Sequence, residues 1–426
     1  MKKTIKSVII GTLAGIALFS VAGCSKSNST GSGSSEKVTI NFWHNYSAQS
    51  DENKILTDVL IPEFEKENPD IKVNAVSHEW QDLHDKILVS ASSKTLPDVG
   101  RLDLAWIPEF ESSNILVPVN KEFNDFETYS SLLLPNAMNA VKMNGNYYGL
   151  GLNINTKILF YNKELLKDKG IDSPKTMKEL EEAVTKVSGK NSNGQRIWGL
   201  NEPALSGWNV LPYIWSYGGD ILSADQKTSD GYINSKNSIE AVKMLKTMYS
   251  KDQLTGWSSG DIPTTDGFGA SRYAMIFDGP WKIQELKDGY PNLKYGTDIM
   301  PSGKGGSHSV IGGESISLFE GSKNKKQAWK FAKFMTSDYA QKEMAKAGQI
   351  PVNKKSLESK ESQDSGFAPF IEAIKSAKSR PNVSNWTEID TMLSTTMTNI
   401  MNNKVSVEDG LNQLSKQIDK SLTKDK

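Results

Sequence analysis

Apolar and polar positions begin to alternate at Val38, Ile40 and Phe42, and this period of two predicts a strand. Ile55, Leu56, Val59, Leu60 and Phe64 then recur at helical spacing, and Asn68-Pro69 closes the pattern. Alternation returns at Ile71, Val73 and Ala75. Helical spacing returns at Trp80, Leu83, Ile87, Leu88 and Ala91, up to Pro97. Strand, helix, strand, helix is the order of a mostly parallel, doubly wound α/β sheet. In such sheets ligands sit beyond the carboxyl ends of the strands. That directs attention to Trp43-His44-Asn45 and to Arg101–Trp106.

The middle of the chain reads in the same way. Tyr147–Gly151 is a strand running into a backbone permissive enough to turn. The apolar run Ile158–Tyr161 stops at Asn162, and Leu165 and Leu166 begin a short amphipathic helix. Thr176-x-x-Glu179 is a capping box opening a helix with Met177, Leu180, Val184 and Val187 on one face. Asn191–Gly194 is a turn, and Trp208–Tyr217 is rich in aromatics. Ile239, Val242, Leu245 and Met248 mark a further helix. The apolar run from Arg272 ends in Asp278-Gly279-Pro280-Trp281. Val310–Leu318 supplies a strand, and Gln327–Ala347 reads as one helix. Ile389, Met392, Leu393, Thr396, Met397 and Ile400 share a helix face, and Ser406-x-x-Asp409 caps a last helix through Leu422.

Length adds that 426 residues exceed one ordinary core, so two compact units are expected. Basic and acidic residues balance at 50 each, which excludes the strong basic field of a nucleic-acid binder. The first 23 residues read as an export signal, with Lys2, Lys3 and Lys6 ahead of an apolar segment. It ends in Val21-Ala22-Gly23-Cys24, which resembles a bacterial lipobox. Cys24, the only cysteine, is the expected lipidated N-terminus. Ser25–Ser35 is a flexible linker (residues 24–35 with the anchor) that lets a globular body stand off a membrane.

Enzyme signatures fare poorly. Gly256-Trp-Ser258-Ser-Gly260 matches G-x-S-x-G but lacks the apolar strand before it and the helix after it. His78-Glu79 and His84 are spaced too widely for H-E-x-x-H, and no phosphate-binding Walker loop occurs. Four histidines and one cysteine leave little for a transition-metal site. Paired carboxylates of a glycosidase stay open on sequence alone. Aromatics and planar polar groups at predicted strand ends suit a sugar, which has apolar faces and hydroxyl edges.

Four segments carry a resemblance. Gly151-Leu152-Asn153 leads to Leu159-Phe160-Tyr161-Asn162, Leu166 and Asp168, with Ile158 where a small residue is usual. Leu96-Pro97-Asp98-Val99, Asp278-Gly279-Pro280-Trp281 and Gly348-Gln349-Ile350-Pro351 follow. Together they resemble the family 1 extracellular solute-binding proteins of ABC importers, in particular the sugar-binding branch, from Lys37 to the C-terminus. The resemblance implies an α/β, two-lobe periplasmic-binding-protein-like fold (type II), with three crossovers and a ligand cleft. Residues 36–152 with 298–351 are the expected N-terminal lobe, and 153–297 with 352–426 the C-terminal lobe. It implies an oligosaccharide ligand, a membrane permease as partner, a monomer and no cofactor. Its ligand contacts fall on His44 and Asn45, Asp103 and Trp106, Asn155, Glu202 and Trp208, Asp278 and Trp281, Gly313 and Glu314, and Trp386. Trp80 is placed at the core or the rim, and Trp43, Trp198 and Trp329 in the core. Each of these tryptophans, His44 and Glu314 also has a purely structural reading. The alternatives are a polyol-phosphate binder, such as for glycerol 3-phosphate, and a surface glycosidase or esterase.

Overall fold

The computed structural model describes residues 37–423. The expected export signal, Cys24 and the linker lie outside the described residues.

Strand Val38–His44 buries Ile40, Phe42 and His44 and turns Thr39 and Asn41 outward. It pairs in parallel with Ile71–Ser77 on one side and Val99–Asp103 on the other. Val310–Leu318 runs antiparallel to both Val99–Asp103 and Leu150–Thr156, and Ile350–Pro351 pairs antiparallel at the far edge. The two strands flanking Val310–Leu318 are buried at every position, as central strands covered on both faces must be. A second sheet has the order Leu254–Thr255, Arg196–Asn201, Tyr273–Asp278, Ile158–Asn162, Tyr295–Asp298. Its first three strands are parallel, and Ile158–Asn162 is antiparallel to both neighbours.

Parallel pairing is therefore narrower than the strand–helix alternation predicts. The antiparallel strands lie at or next to places where the chain passes between sheets. A strand arriving from the other sheet is not bound to the direction a crossover helix imposes.

The predicted helix over Gln327–Ala347 is two helices, Lys325–Met335 and Asp338–Ala345. The Ser337 side chain accepts from the Ala340 amide and starts the second one.

The first passage between sheets is at Lys157, between Leu150–Thr156 and Ile158–Asn162. A second returns between Tyr295–Asp298 and Val310–Leu318. The two passages are tied together. The Thr156 hydroxyl donates to the Val310 carbonyl at 2.7 Å, and the Ser309 hydroxyl donates to the Lys157 carbonyl at 2.6 Å. Gly348–Val352 stays with the first sheet, where Ile350 and Pro351 pair with Ile154 and Asn153. Lys378–Ser379 still pairs with Val310 and Ile311. The chain then supplies the helices Trp386–Met401 and Val407–Leu422. Ile389, Leu393, Met397, Leu411 and Leu414 of these helices pack into the core around Leu200, Ile214 and Met275 of the second sheet and its helices.

Candidate functional site

Strand and helix ends from both sheets converge on a cavity of about 680 Å³. The first sheet sends Asn45 and Tyr46 from just past Val38–His44, Arg101 and Asp103 from Val99–Asp103, and Asn155 and Gly312–Glu314 from the two central strands. The other wall is Ser206 and Trp208 at the start of helix Gly207–Ser216, Trp281 and Glu285 on helix Trp281–Gly289, and the polar side of Trp386–Met401. Gln349 and Arg380 complete it.

The floor is ionic. Arg101, buried at 4 % exposure, places a terminal nitrogen 2.8 Å from Glu314 Oε2 and donates to Asn45 Oδ1. Its guanidinium lies 4.2 Å from the Tyr46 ring centre. Burial works against the Arg101 charge, but Glu314, Tyr46 and Glu52 outweigh it and hold its pKa above the ordinary value. Burial raises the Glu314 carboxyl, and Arg101 offsets only part of that. Burial likewise pushes the Tyr46 phenol up to about 12. Beside this pair, Asp103 accepts from the Arg380 guanidinium at 2.6 Å, the Ala105 amide at 2.8 Å and Trp80 Nε1 at 3.2 Å.

The sides are aromatic. Trp208 and Trp281 stack at 6.4 Å between ring centres with 30° between planes, and both are half-buried. Missing side chains make this possible. A Cβ on Gly312 would come within 2.5 Å of the Trp208 ring and 2.3 Å of Asn155 Oδ1. One on Gly279 would meet the Trp281 ring at 2.2 Å.

Of the residues expected in the site, Asn45, Trp80, Asp103, Asn155, Trp208, Trp281, Gly313 and Glu314 line this cavity. Five others do not. His44 is buried, with its ring 5.2 Å from Phe42 and 5.4 Å from Tyr46. Burial first, then Arg101 and His78, lower its pKa to about 3, so the ring is a neutral brace behind Tyr46. Trp106 is 1 % exposed and lies under Trp80, with ring centres 4.9 Å apart. Trp386 is sealed in the second core. Asp278 turns to Lys282 at 3.3 Å and to the Gly279 amide at 2.8 Å. Glu202 is sealed with Lys157 and accepts from Asn209 Nδ2 at 2.5 Å and Tyr213 Oη at 2.8 Å.

Arg101 opens the strand-end segment singled out in the sequence, but Tyr46, Glu52, Gln349, Arg380 and the row Asp390, Thr391, Ser394, Thr395 carried no such expectation. A signal for the row was present. These are polar positions on a helix whose apolar stripe runs Ile389, Leu393, Met397, so they occupy its other side. Chemically, the cavity offers flat apolar faces beside Glu314 and Asp103, whose charges are met by Arg101 and Arg380, with Glu52, Glu285 and Asp390 also on its walls. It can stack on a ring and hydrogen-bond its substituents.

A family model described as bacterial extracellular solute-binding protein matches residues 60–369. A putative binding protein of Brucella abortus is 27% identical over 348 residues, 79% of this chain and 82% of that one. The multiple sugar-binding protein of Streptococcus mutans is 25% identical across 95% of this chain and 96% of its own. Among solved structures, the GacH receptor of Streptomyces glaucescens, solved unliganded and with acarbose, superposes with a TM-score of 0.79 at 25% identity. That match covers 91% of this chain and 99% of the receptor. The two-lobed fold of the maltose-binding type is shared with these structures. The chain belongs to the bacterial extracellular solute-binding proteins.

Proposed function

We propose that this protein captures an oligosaccharide in the 680 Å³ cavity and delivers it to the permease of an ABC importer. The observation that carries the reading is the Trp208–Trp281 pair facing Glu314 and Asp103, whose charges are already balanced. Such a site suits a neutral ring with hydroxyl edges. Relatives named for multiple sugars and for maltodextrin support it. A phosphate ester fits less well, because Arg101 and Arg380 are engaged by Glu314 and Asp103 and leave no free guanidinium fork. The protein does no chemistry on its ligand. Ser258 of the G-x-S-x-G match bonds to Tyr249 Oη, and the His308 ring is taken by the carbonyls of Ser376 and Gly305.

The lobes divide at Lys157, between Asp298 and Val310, and after Ser379 rather than at 351, because Ile350–Pro351 and Lys378–Ser379 both still pair within the first sheet, and they close on the sugar by bending there. Closure is driven only by the extra affinity of sugar for the closed state. Asn45, Trp80, Asp103, Asn155, Trp208, Trp281, Gly313 and Glu314 make the contacts, and a lipid on Cys24 holds the monomer at the outer face of the cell membrane. Tryptophan fluorescence of the body from Ser35 onward, titrated with oligosaccharides, monosaccharides and glycerol 3-phosphate, tests this. A saturable change with an oligosaccharide, unaltered sugar afterwards and loss of binding in Trp281→Ala are expected. A response to glycerol 3-phosphate alone would overturn the ligand class, and appearance of shorter sugars would restore an enzyme.

A further inference from the structure

The wall made by helix Trp386–Met401 continues past the cavity. Gln81, Thr391 and Thr395 line both that cavity and a second one of about 760 Å³. The second follows the crevice between helices Trp386–Met401 and Val407–Leu422, with Asp85 and Glu109 opposite. Thr387, Thr391 and Thr395 recur every four residues, so they form one stripe that begins in the second cavity and reaches the first. From Thr387 to Asn399 the helix runs ~18 Å.

The chemistry of the two cavities differs. The first has stacked tryptophans, whereas no aromatic side chain lines the second. The second is built of hydroxyls and amides. Among the described residues the side chains of Asn399, Gln413 and Gln417 have no hydrogen-bond partner. Each amide both donates and accepts, as does each hydroxyl of a sugar. Three carboxylates, Asp85, Glu109 and Glu388, face one cation, Lys420, which disfavours a polyanion. Met392 and Val405 are too little apolar surface to anchor a peptide side chain deeply. Each cavity falls within the roughly 300–1,000 Å³ usual for one small ligand. Joined through a shared wall, they make room for a longer one.

We infer that the second cavity takes the distal units of the oligosaccharide whose first units lie against Trp208 and Trp281, so that the protein selects for chain length. This rests on the carbohydrate reading of the first cavity. Without aromatic platforms the distal units bind through hydrogen bonds alone, and the gain per unit is modest.

The test is calorimetric titration of the full chain and of a Gln413→Ala/Gln417→Ala variant. Both substitutions lie on exposed helix positions, where alanine favours the helix. The probes are maltotriose, maltohexaose, mannotriose and mannohexaose. In the series that binds, the hexaose is expected to bind about tenfold more tightly than the triose in the unaltered chain. The variant loses that margin while keeping its triose affinity. Equal affinity for triose and hexaose in the unaltered chain, or an undiminished margin in the variant, overturns the inference and leaves the first cavity's reading standing. Binding of no member of either series overturns that reading, and the inference with it.

Discussion

Two buried ion pairs, built from the same kinds of group, serve opposite ends. Lys157 and Glu202 are both 1 % or less exposed, and the carboxylate is saturated by Lys157, Asn209 and Tyr213. Arg101 and Glu314 are also buried against each other. Yet Arg101 Nε has no hydrogen-bond partner, and Glu314 Oε2 is held by charge contact alone. The first pair sits where the chain passes between sheets, and the second lines the cavity. A buried pair whose carboxylate is fully bonded within the protein specifies a structure. One with bonds left over at a cavity wall is the pair we expect a ligand to perturb.

Removing one partner of the saturated pair has the largest expected effect. Lys157→Met leaves the Glu202 carboxylate buried without its cation, at a cost of about 3–5 kcal/mol by chemical denaturation. Burial already raises the Glu202 carboxyl, and loss of Lys157 raises it further. A raised carboxyl contributes its stability at low pH and loses it as pH rises through the folded-state value. The deficit of the variant is therefore expected to shrink as pH falls from neutral. A deficit independent of pH would mean that Glu202 is not its source.

Trp281→Ala is expected to weaken sugar binding by roughly 2 kcal/mol or more while leaving the denaturation midpoint nearly unchanged. Equal losses of affinity and stability would instead make Trp281 a core residue. Glu314→Gln keeps the shape of the unsaturated pair but withdraws its charge from Arg101. A loss of about 1–3 kcal/mol in affinity, larger than its loss in stability, is expected by calorimetry. The opposite ranking would erase the contrast between the two pairs.

The smallest effect concerns His44 behind the cavity floor. Its pKa is lowered from 6.5 to about 3, mainly by burial. The neutral ring thus adds stability in full above about 6.5, and that contribution fades as pH falls toward about 3. Its imidazole resonances are expected not to titrate between about pH 5 and 8 in NMR spectra. A midpoint in that window would show that the ring is not sealed as described.

The strands and most helices were legible because burial imposes periods of 2 and 3.6 on the side chains. Strand direction was not, since a strand alternates identically whichever way it runs, and so the antiparallel Ile158–Asn162 read like its parallel neighbours. Trp208 and Trp281 were expected at the ligand from the resemblance, but so were Trp106 and Trp386, which are core. The sequence carries no mark of which side of an element's first turn meets a cavity. Glu202 was expected to meet ligand, because its cation lies 45 positions away in the chain and adjacency does not reveal the pair. Arg101 and Arg380 carry no sequence mark of being paired. Their carboxylate partners come from other strands and loops, and adjacency in sequence says nothing of them.

The hydroxyl ties at Thr156 and Ser309 have a mechanical consequence. Two straps lying side by side and riveted at two points flex together but do not slide along each other. If the lobes close as proposed, such a joint is expected to have one soft direction, like a door leaf, and to resist shear. Distances measured between any pair of labels placed across it should then fall on a single curve, each fixing all the others. The speed of opening would be set by that one angle rather than by a search through many.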